Sequence, residues 1–426
     1  MTRVRGLHTA IMPRGSLFRR GAFVRICAGF TGNVTGSQMS ALALPLTAIN
    51  VLGADAFQVG VLMGIGGLPA LVLSLPAGVL VDRLSPRRVV VTTSAFLAAV
   101  LISTQVAERL GVLSFGLLCL LAVALGAATV LFSVAQQALV SRVIASDDLV
   151  DANSKLEAAR ASAGLAGPAI AGTLADRLSP PSVFSAAALL HLLSALFFSS
   201  VRHTENPPTA RRMSIEIREG LLFVLRQPSL RVLMGAAATW NFFSAMAAAV
   251  FVLYATRSAG VSGTELGLVF TGAQIGIIAA SIVAARLTSA IGVGRLFAAA
   301  MFIGGASVAL LGVTVSVIGL LLLQFMRSAC IVVYNVNQLS FRQSITPFEL
   351  QGRVHATAML IALGTWPAGA FVGGGMAAAA GPAITLVVAG VCMSAGAAWI
   401  VLSPLFRLQE INEQAPHPIQ STERSA

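Results

Sequence analysis

The stretch Gly78-Val-Leu-Val-Asp82-Arg83-Leu-Ser-Pro-Arg87-Arg88 separates two long apolar runs of the chain. The run before it is as long as a transmembrane helix, which needs roughly 20 apolar residues, and a second run follows at once. The chain is therefore expected to leave the bilayer, turn on a short loop with three arginines, and re-enter. Short arginine-rich loops of membrane proteins lie on the cytoplasmic side.

The composition extends this interpretation to the whole chain. Of 426 residues, 56% are hydrophobic and only 10% are charged, whereas a soluble protein carries about 25% charged residues. We predict an all-α integral membrane protein with twelve transmembrane helices in two six-helix halves. The apolar runs place the spans at residues 21–49, 57–82, 89–107, 111–140, 150–175, 181–201, 229–256, 265–288, 294–313, 315–341, 350–377 and 381–403.

Several other classes of protein are disfavoured. The net charge of +12 comes from arginines in the gaps between apolar runs, so it indicates membrane topology and not a nucleic-acid partner. The four cysteines stand singly, which predicts neither a disulfide framework nor a metal site. The one lysine, Lys155, follows Ser154, so a nucleotide-binding P-loop is not expected. We expect no enzymatic activity and no cofactor.

Arginine placement predicts the orientation. With the N-terminus inside, the cytoplasmic gaps hold most arginines, whereas the opposite gaps hold Arg109, Arg177 and Arg257. Both termini are then cytoplasmic, in a multi-pass protein of the inner membrane. The predicted parts are a cytoplasmic basic tail (1–20), an N-terminal half (21–202), a cytoplasmic linker with an amphipathic helix (203–228), a C-terminal half (229–405) and a cytoplasmic tail (406–426).

An internal repeat supports two halves. The landmarks Gln136-Gln137 and Gly167-Pro168 recur as Asn337-Gln338 and Trp366-Pro367, with an offset of roughly 200 residues. Because six spans separate the copies, both run in the same direction through the membrane. This predicts parallel repeats about an axis along the membrane normal.

Two motifs resemble those of the major facilitator superfamily. In that superfamily the loop between helices 2 and 3 reads G-x-x-x-D-R-x-G-R and then two basic residues. Gly78, Asp82, Arg83 and Arg87 fit this pattern, and Arg88 adds a basic residue. Ser85-Pro86 stands where the pattern has Gly-Arg. In span 5, Gly167, Pro168 and Gly172 resemble the antiporter motif g-x-x-x-G-P-x-x-G-G, with Ala163 and Ala171 at two of its glycines. Such glycines allow close helix contact, and the proline bends the span.

The sequence looks most like the branch of enterobactin exporters and macrolide-efflux proteins. This resemblance implies alternating-access export of a drug-like or siderophore-like molecule, driven by the proton gradient, by a monomer in the lipid bilayer. Small-molecule substrate and protons are then the partners. One alternative is an importer or facilitator of a small metabolite with the same fold. Another is a non-transporting membrane sensor.

Polar groups inside spans are costly and mark candidate sites. In the superfamily, spans 1, 4, 7 and 10 line the central cavity. The resemblance and the pattern give these candidates for the cavity: Asn33, Gln38, Asn241, Arg327 and Asn335, with Trp240 as an aromatic wall. For any single amide, an interhelical hydrogen bond is the alternative. Arg327 lies near mid-bilayer, where a charge costs at least roughly 2.5 kcal/mol unless it meets water or a partner.

The sequence also contains candidate residues for proton coupling and for gating of the transport pathway. Glu157, in span 5, is the candidate acid for coupling, and an ion pair with Arg160 is the alternative. His191 could titrate or serve a structural role. At the start of span 11, Thr346-Pro-Phe-Glu349 predicts a capping box. In the family the loop aspartate faces this helix start, so Asp82 is predicted to latch the halves in the outward-open state.

Overall fold

The computed structural model describes residues 21–73, 76–145, 148–201, 222–346 and 350–407. The predicted N-terminal tail (1–20), most of the predicted linker (203–228) and nearly all of the predicted C-terminal tail (406–426) therefore lie outside the described residues.

All regular secondary structure in the described residues is helical. The helices are α1 (Gly21–Asn50), α2 (Ala56–Leu73), α3 (Pro76–Leu84), α4 (Pro86–Arg109), α5 (Phe115–Val143), α6 (Leu149–Arg177), α7 (Ser182–Ser199), α8 (Pro228–Leu253), α9 (Gly263–Ile291), α10 (Val293–Leu311), α11 (Val317–Ile345), α12 (Gln351–Ala380), α13 (Pro382–Ala395) and α14 (Ala398–Val401). A π-helical turn, Tyr254–Ser258, extends α8.

The prediction of an all-helical membrane protein with twelve spans is confirmed. Within the described residues, ten helices are long and apolar enough to cross a membrane. The two remaining long helices are α1, with 30 residues, and α6, with 29, which carry more polar side chains. The predicted single span 57–82 is divided into α2 and α3, and the twelfth span is divided into α13 and α14.

The helices form two groups of six spans that are related by the repeat. In the first half, α1 packs on α6 and α7, and α4 packs on α5 and α7. In the second half, α8 packs on α12 and α13, and α11 packs on α9 and α10. The halves meet along two seams, α6 against α9 and α2 against α12. Exchanging the halves exchanges the two seams, as parallel repeats require.

The turn between α3 and α4 explains one departure from the family loop pattern. Ser85 has φ 70° and is the only non-glycine residue with positive φ among those that the structure describes. The pattern has glycine here, which adopts positive φ without steric cost. Pro86 then begins α4, where its missing N–H is not needed. In the second half the corresponding turn, between α9 and α10, has Gly292 with φ 87°.

The predicted capping box before span 11 has Thr346 as its first member, and this side chain does not cap α12 in the structure. The Thr346 hydroxyl donates to the carbonyl oxygen of Arg342 at 2.6 Å, so it bonds to the end of α11. Helix α12 begins at Gln351. Residues 347–349, which include the other members of the predicted box, lie outside the described residues.

Candidate functional site

The two ends of the bundle differ in their number of arginines and in the contacts between the halves. The end that carries the α3–α4 and α9–α10 turns is called the Arg-rich end. The end that carries the α1–α2 and α8–α9 connections is called the Arg-poor end. The described hydrogen bonds between the halves lie at the Arg-poor end or in the middle of the bundle. One of them runs from Arg257 Nη2 to the carbonyl oxygen of Ala54, at 2.9 Å.

The α6–α9 seam depends on glycine. A Cβ added at Gly172 would overlap the carbonyl oxygen of Gly263, and one added at Gly267 would lie 2.5 Å from the carbonyl oxygen of Pro168. Gly167 faces α1 instead, where its Cβ would lie 2.7 Å from Cβ of Gln38. The antiporter-like motif therefore lies where the first half meets the second half and where α6 meets α1.

A carboxylate joins the halves at the Arg-poor end of the same seam. The backbone N–H groups of Gly263 and Thr264 donate to Asp176 Oδ1 and Oδ2, at 2.8 and 2.7 Å. These are two of the N–H groups that the start of α9 leaves without a helical partner. The charge also interacts favourably with the positive end of the helix dipole. Asp176, from one half, thus holds the start of a helix from the other.

The α2–α12 seam brings glycines against backbone and rings. A Cβ added at Gly60 would overlap the Cα of Gly374. Further along α2, a Cβ at Gly64 would lie 2.9 Å from the Phe371 ring, and one at Gly67 would lie 3.1 Å from Trp366. Both seams run from the Arg-poor end to the middle of the bundle, so the molecule is closed at that end.

Charged side chains of α6 are exposed toward the Arg-rich end. The Glu157 carboxylate accepts from Arg160 Nε at 3.3 Å, and both side chains are exposed. The Arg160 guanidinium lies 5.0 Å from the centroid of the Phe30 ring on α1. Hydrocarbon cannot solvate such ions, so we expect this face of α6 to contact water. The coupling candidate Glu157 lies there, and its role stays a prediction.

A cavity of about 260 Å³ lies between the halves, nearer the Arg-poor end than the Arg-rich end. Its polar lining comes from three amides and one guanidinium, contributed by α1, α9 and α11. The remaining lining is apolar and includes an aromatic pair. The polar residues are Gln38, Gln274, Gln324 and Arg327, and the apolar residues include Leu42, Met63, Phe251 and Phe270.

Arg327 is the one charged side chain among the described residues that line the cavity. It is half-buried, and its Nε donates to Gln324 Oε1 at 2.8 Å. Gln274 and Gln324 were not among the predicted site residues. A signal was available for Gln324, since residues three apart on a helix share a face.

Asn33 lies on the other side of α1, inside the first half. Its Nδ2 donates to Ser94 Oγ at 3.1 Å and lies 3.3 Å from Nδ1 of His191. Ser94 Oγ lies 3.4 Å from Oγ of Ser194. Asn33, Ser94, His191 and Ser194 are all buried, so they form a polar cluster that joins α1, α4 and α7.

Trp240 is also placed inside its own half. It is 1% exposed and stacks on Tyr334, with ring centroids 5.5 Å apart and an interplanar angle of 5°. Asn241 is half-buried and donates to the carbonyl oxygen of Ala237 on its own helix, at 2.8 Å. Asn335 is exposed and lies two turns beyond Arg327, toward the Arg-rich end. The structure thus places Gln38 and Arg327 in the cavity lining, and the other four candidates elsewhere.

Arg87 of the α3–α4 loop contacts its own half. Its Nη2 donates to the carbonyl oxygen of Ser199, and beside it Arg25 Nη1 of α1 donates to that of Ser200 at 2.9 Å. Cations are stabilising at a helix C-terminus, here that of α7. Arg83 and Arg88 are exposed, and Gly78 faces open space among the described atoms. The side chain of Asp82 is outside the described set, so its latch role stays a prediction.

Comparison with protein families identifies the chain. A profile of the family described as transmembrane secretion effector matches residues 16–424. The chain belongs to this family. Comparison with curated proteins finds no match.

Three solved structures with the same fold are distant in sequence. A bacterial homologue of the human lysosomal transporter Spinster, in an inward-facing and occupied conformation, is 14% identical, with a TM-score of 0.71 over 91% of this chain and 97% of that one. The nucleoside transporter NupG is 12% identical, with a TM-score of 0.73 over 89% and 99%. A bacterial homologue of the iron transporter ferroportin, in an inward-facing state, is 16% identical, with a TM-score of 0.67 over 90% and 100%.

At this level of identity the structures establish the fold alone. Together with the family, they identify a multi-pass membrane transporter of the major facilitator type.

Proposed function

We propose that the protein exports a drug-like or siderophore-like small molecule across the inner membrane, by alternating access and at the expense of the proton gradient. The observation that carries this proposal is the cavity between the halves. It combines amides and a guanidinium with aromatic and aliphatic walls, and both halves contribute to its lining. A site at the interface of two repeats can be exposed to either side by rocking one half against the other.

The arginine bias supports the membrane orientation that the proposal needs. It predicts that the Arg-rich end is cytoplasmic. The closed Arg-poor end then faces outward, and the conformation is inward-facing. In that state the substrate enters from the cytoplasm, past the exposed Glu157 and Arg160 of α6. Opening of both seams would release it on the other side.

Proton coupling is proposed to act through Glu157. Protonation removes the charge of its carboxylate and so weakens its pairing with Arg160. Arg160 would then be free to interact with substrate or with the opposite half when the opening closes.

Transport in membrane vesicles tests the proposal. Inverted vesicles that contain the protein should accumulate a labelled siderophore when energised, and an uncoupler should abolish the accumulation. Vesicles with Glu157→Gln should lose the dependence on the proton gradient. Vesicles with the neighbouring Ser154→Ala, also exposed on α6, serve as the matched control. Net uptake into right-side-out vesicles, unaffected by the uncoupler, would instead support an importer or facilitator.

A further inference from the structure

We propose that the cavity binds a small amphipathic organic anion, with its carboxylate or equivalent oxyanion on Arg327 and an aromatic or aliphatic body against the apolar part of the lining. This inference rests on the proposed transport function and specifies the substrate class of the same cavity.

The first argument is charge. Within the described part of the chain, the one hydrogen bond of the Arg327 guanidinium goes to the neutral amide oxygen of Gln324. A guanidinium has five N–H donors, so four of them are left for water or a ligand. The described lining contains no carboxylate. The cavity therefore carries one positive charge that the protein does not neutralise there.

The second argument is the arrangement of the amides. Accepting the bond from Arg327 fixes the orientation of the Gln324 amide, and its NH2 group remains a donor. Gln38 and Gln274 line the same cavity from α1 and α9. Their side chains come from the two halves, so an oxyanion bound to Arg327 can receive hydrogen bonds across the interface. Charge-assisted hydrogen bonds of this kind are about twice as strong as neutral ones.

The third argument is the apolar wall. Phe251 and Phe270 pack edge to face, with ring centroids 5.8 Å apart and an interplanar angle of 89°. Both line the cavity, together with Leu42 and Met63. Such a wall favours an aromatic or branched aliphatic body by burial of apolar surface. A cationic amine would meet Arg327 without a compensating acid in the described lining.

Occlusion links this chemistry to transport. In the open state, water can hydrate Arg327. Closing the Arg-rich end would remove that water, and a lone charge near mid-bilayer is costly. A bound anion replaces the water and makes the occluded state accessible. The substrate thus permits its own transport step.

Binding measurements on three matched probes test the class. The purified full-length protein in detergent is titrated calorimetrically with naphthylacetate, naphthylacetamide and naphthylethylamine, which share one ring system. Naphthylacetate should bind at least about tenfold more tightly than the other two, the difference expected for a charge-assisted pair. Arg327→Gln should lose most of this preference and leave the affinity for naphthylacetamide nearly unchanged.

The control variant is Arg286→Gln, an exposed arginine of α9, which should bind all three probes like the unchanged protein. Retained size-exclusion profiles and helical content confirm folding. Equal binding of the three probes, no binding up to millimolar concentration, or a preference that survives Arg327→Gln would overturn the inference. Binding in detergent does not depend on transport direction or on protons. A failed vesicle experiment together with anion-selective binding would therefore refute export and leave the substrate class standing.

Discussion

The α6–α9 and α2–α12 seams exchange places when the two halves are exchanged, yet they are built differently. At α6–α9, Asp176 accepts two backbone hydrogen bonds from the start of α9, and Thr271 donates to the carbonyl oxygen of Leu165 at 3.1 Å. At α2–α12, the described close contacts join glycines to backbone and aromatic rings.

The repeat shows where the difference arises. Aligning Pro168 with Pro367 places Gly375 where the first half has Asp176. The start of α2 is capped from within its own half, because Asp55 and Gln58 bond to each other's backbone N–H. The α6–α9 seam therefore combines close glycine packing with a charged cap, whereas the α2–α12 seam relies on close packing. This suggests that the α6–α9 seam sets the stability of the closed Arg-poor end, and four substitutions can break or sharpen the comparison.

Gly172→Val should have the largest effect. Its side chain would overlap the backbone of Gly263, and overpacking of this kind costs about 1–3 kcal/mol. That cost falls on the closed state, so the Arg-poor end should open and transport should fall about tenfold or more. Distances between spin labels on Leu110→Cys and Val313→Cys, which are exposed in opposite halves at this end, would report the opening.

Gly375→Val is the matched control on the other seam helix. A Cβ at Gly375 would meet no described atom within 4 Å, so the label distance and the transport rate should stay close to those of the unchanged protein. If the two valine variants behave alike, close packing at Gly172 does not govern the closed state.

Asp176→Asn should have a smaller effect in the same direction. Asparagine can still accept one bond from the start of α9, but the charge is lost. A cap of this kind contributes about 1 kcal/mol, so the ratio of closed to open protein should fall up to about fivefold. Asp55→Asn weakens a cap within one half and should leave the spin-label distance unchanged. An equal shift in both variants would assign the effect to helix stability and not to the seam.

Asp82→Asn should shift the equilibrium the opposite way. If Asp82 holds the start of α12 in the outward-open state, losing its charge removes about 0.3–1 kcal/mol from that state. The protein should fold normally, populate the closed Arg-poor end more fully and transport more slowly. Arg286→Gln, at an exposed position of α9 near the same end of the bundle, is the control for a general charge effect. A fully active Asp82→Asn protein would reduce the loop to a topology signal.

The sequence was sufficient for the spans, because apolar runs long enough to cross a bilayer are typical of transmembrane helices and rare in soluble proteins. It was not sufficient for the facing of single side chains. Asn33 and Gln38 are five residues apart, which is about 140° around a helix. The two side chains therefore cannot both face one cavity. Which of them faces it is decided by the packing of α1 against α4, α6 and α7. Trp240 is likewise positioned by Tyr334 of α11, a contact that no local pattern encodes.

Ser85 departs from the family loop pattern, and that pattern correctly indicates the backbone conformation of the turn. The family pattern has glycine there, the second half has Gly292 in the corresponding turn, and Ser85 adopts the same positive φ. A non-glycine residue in this conformation costs about 1 kcal/mol or more. Ser85→Gly should therefore raise the melting temperature in detergent slightly, with little effect on the seams, whereas Ser85→Ala should not raise it. A lower melting temperature for Ser85→Gly would mean that the serine makes a contact worth more than the backbone strain, and the two turns would then differ in design as the two seams do.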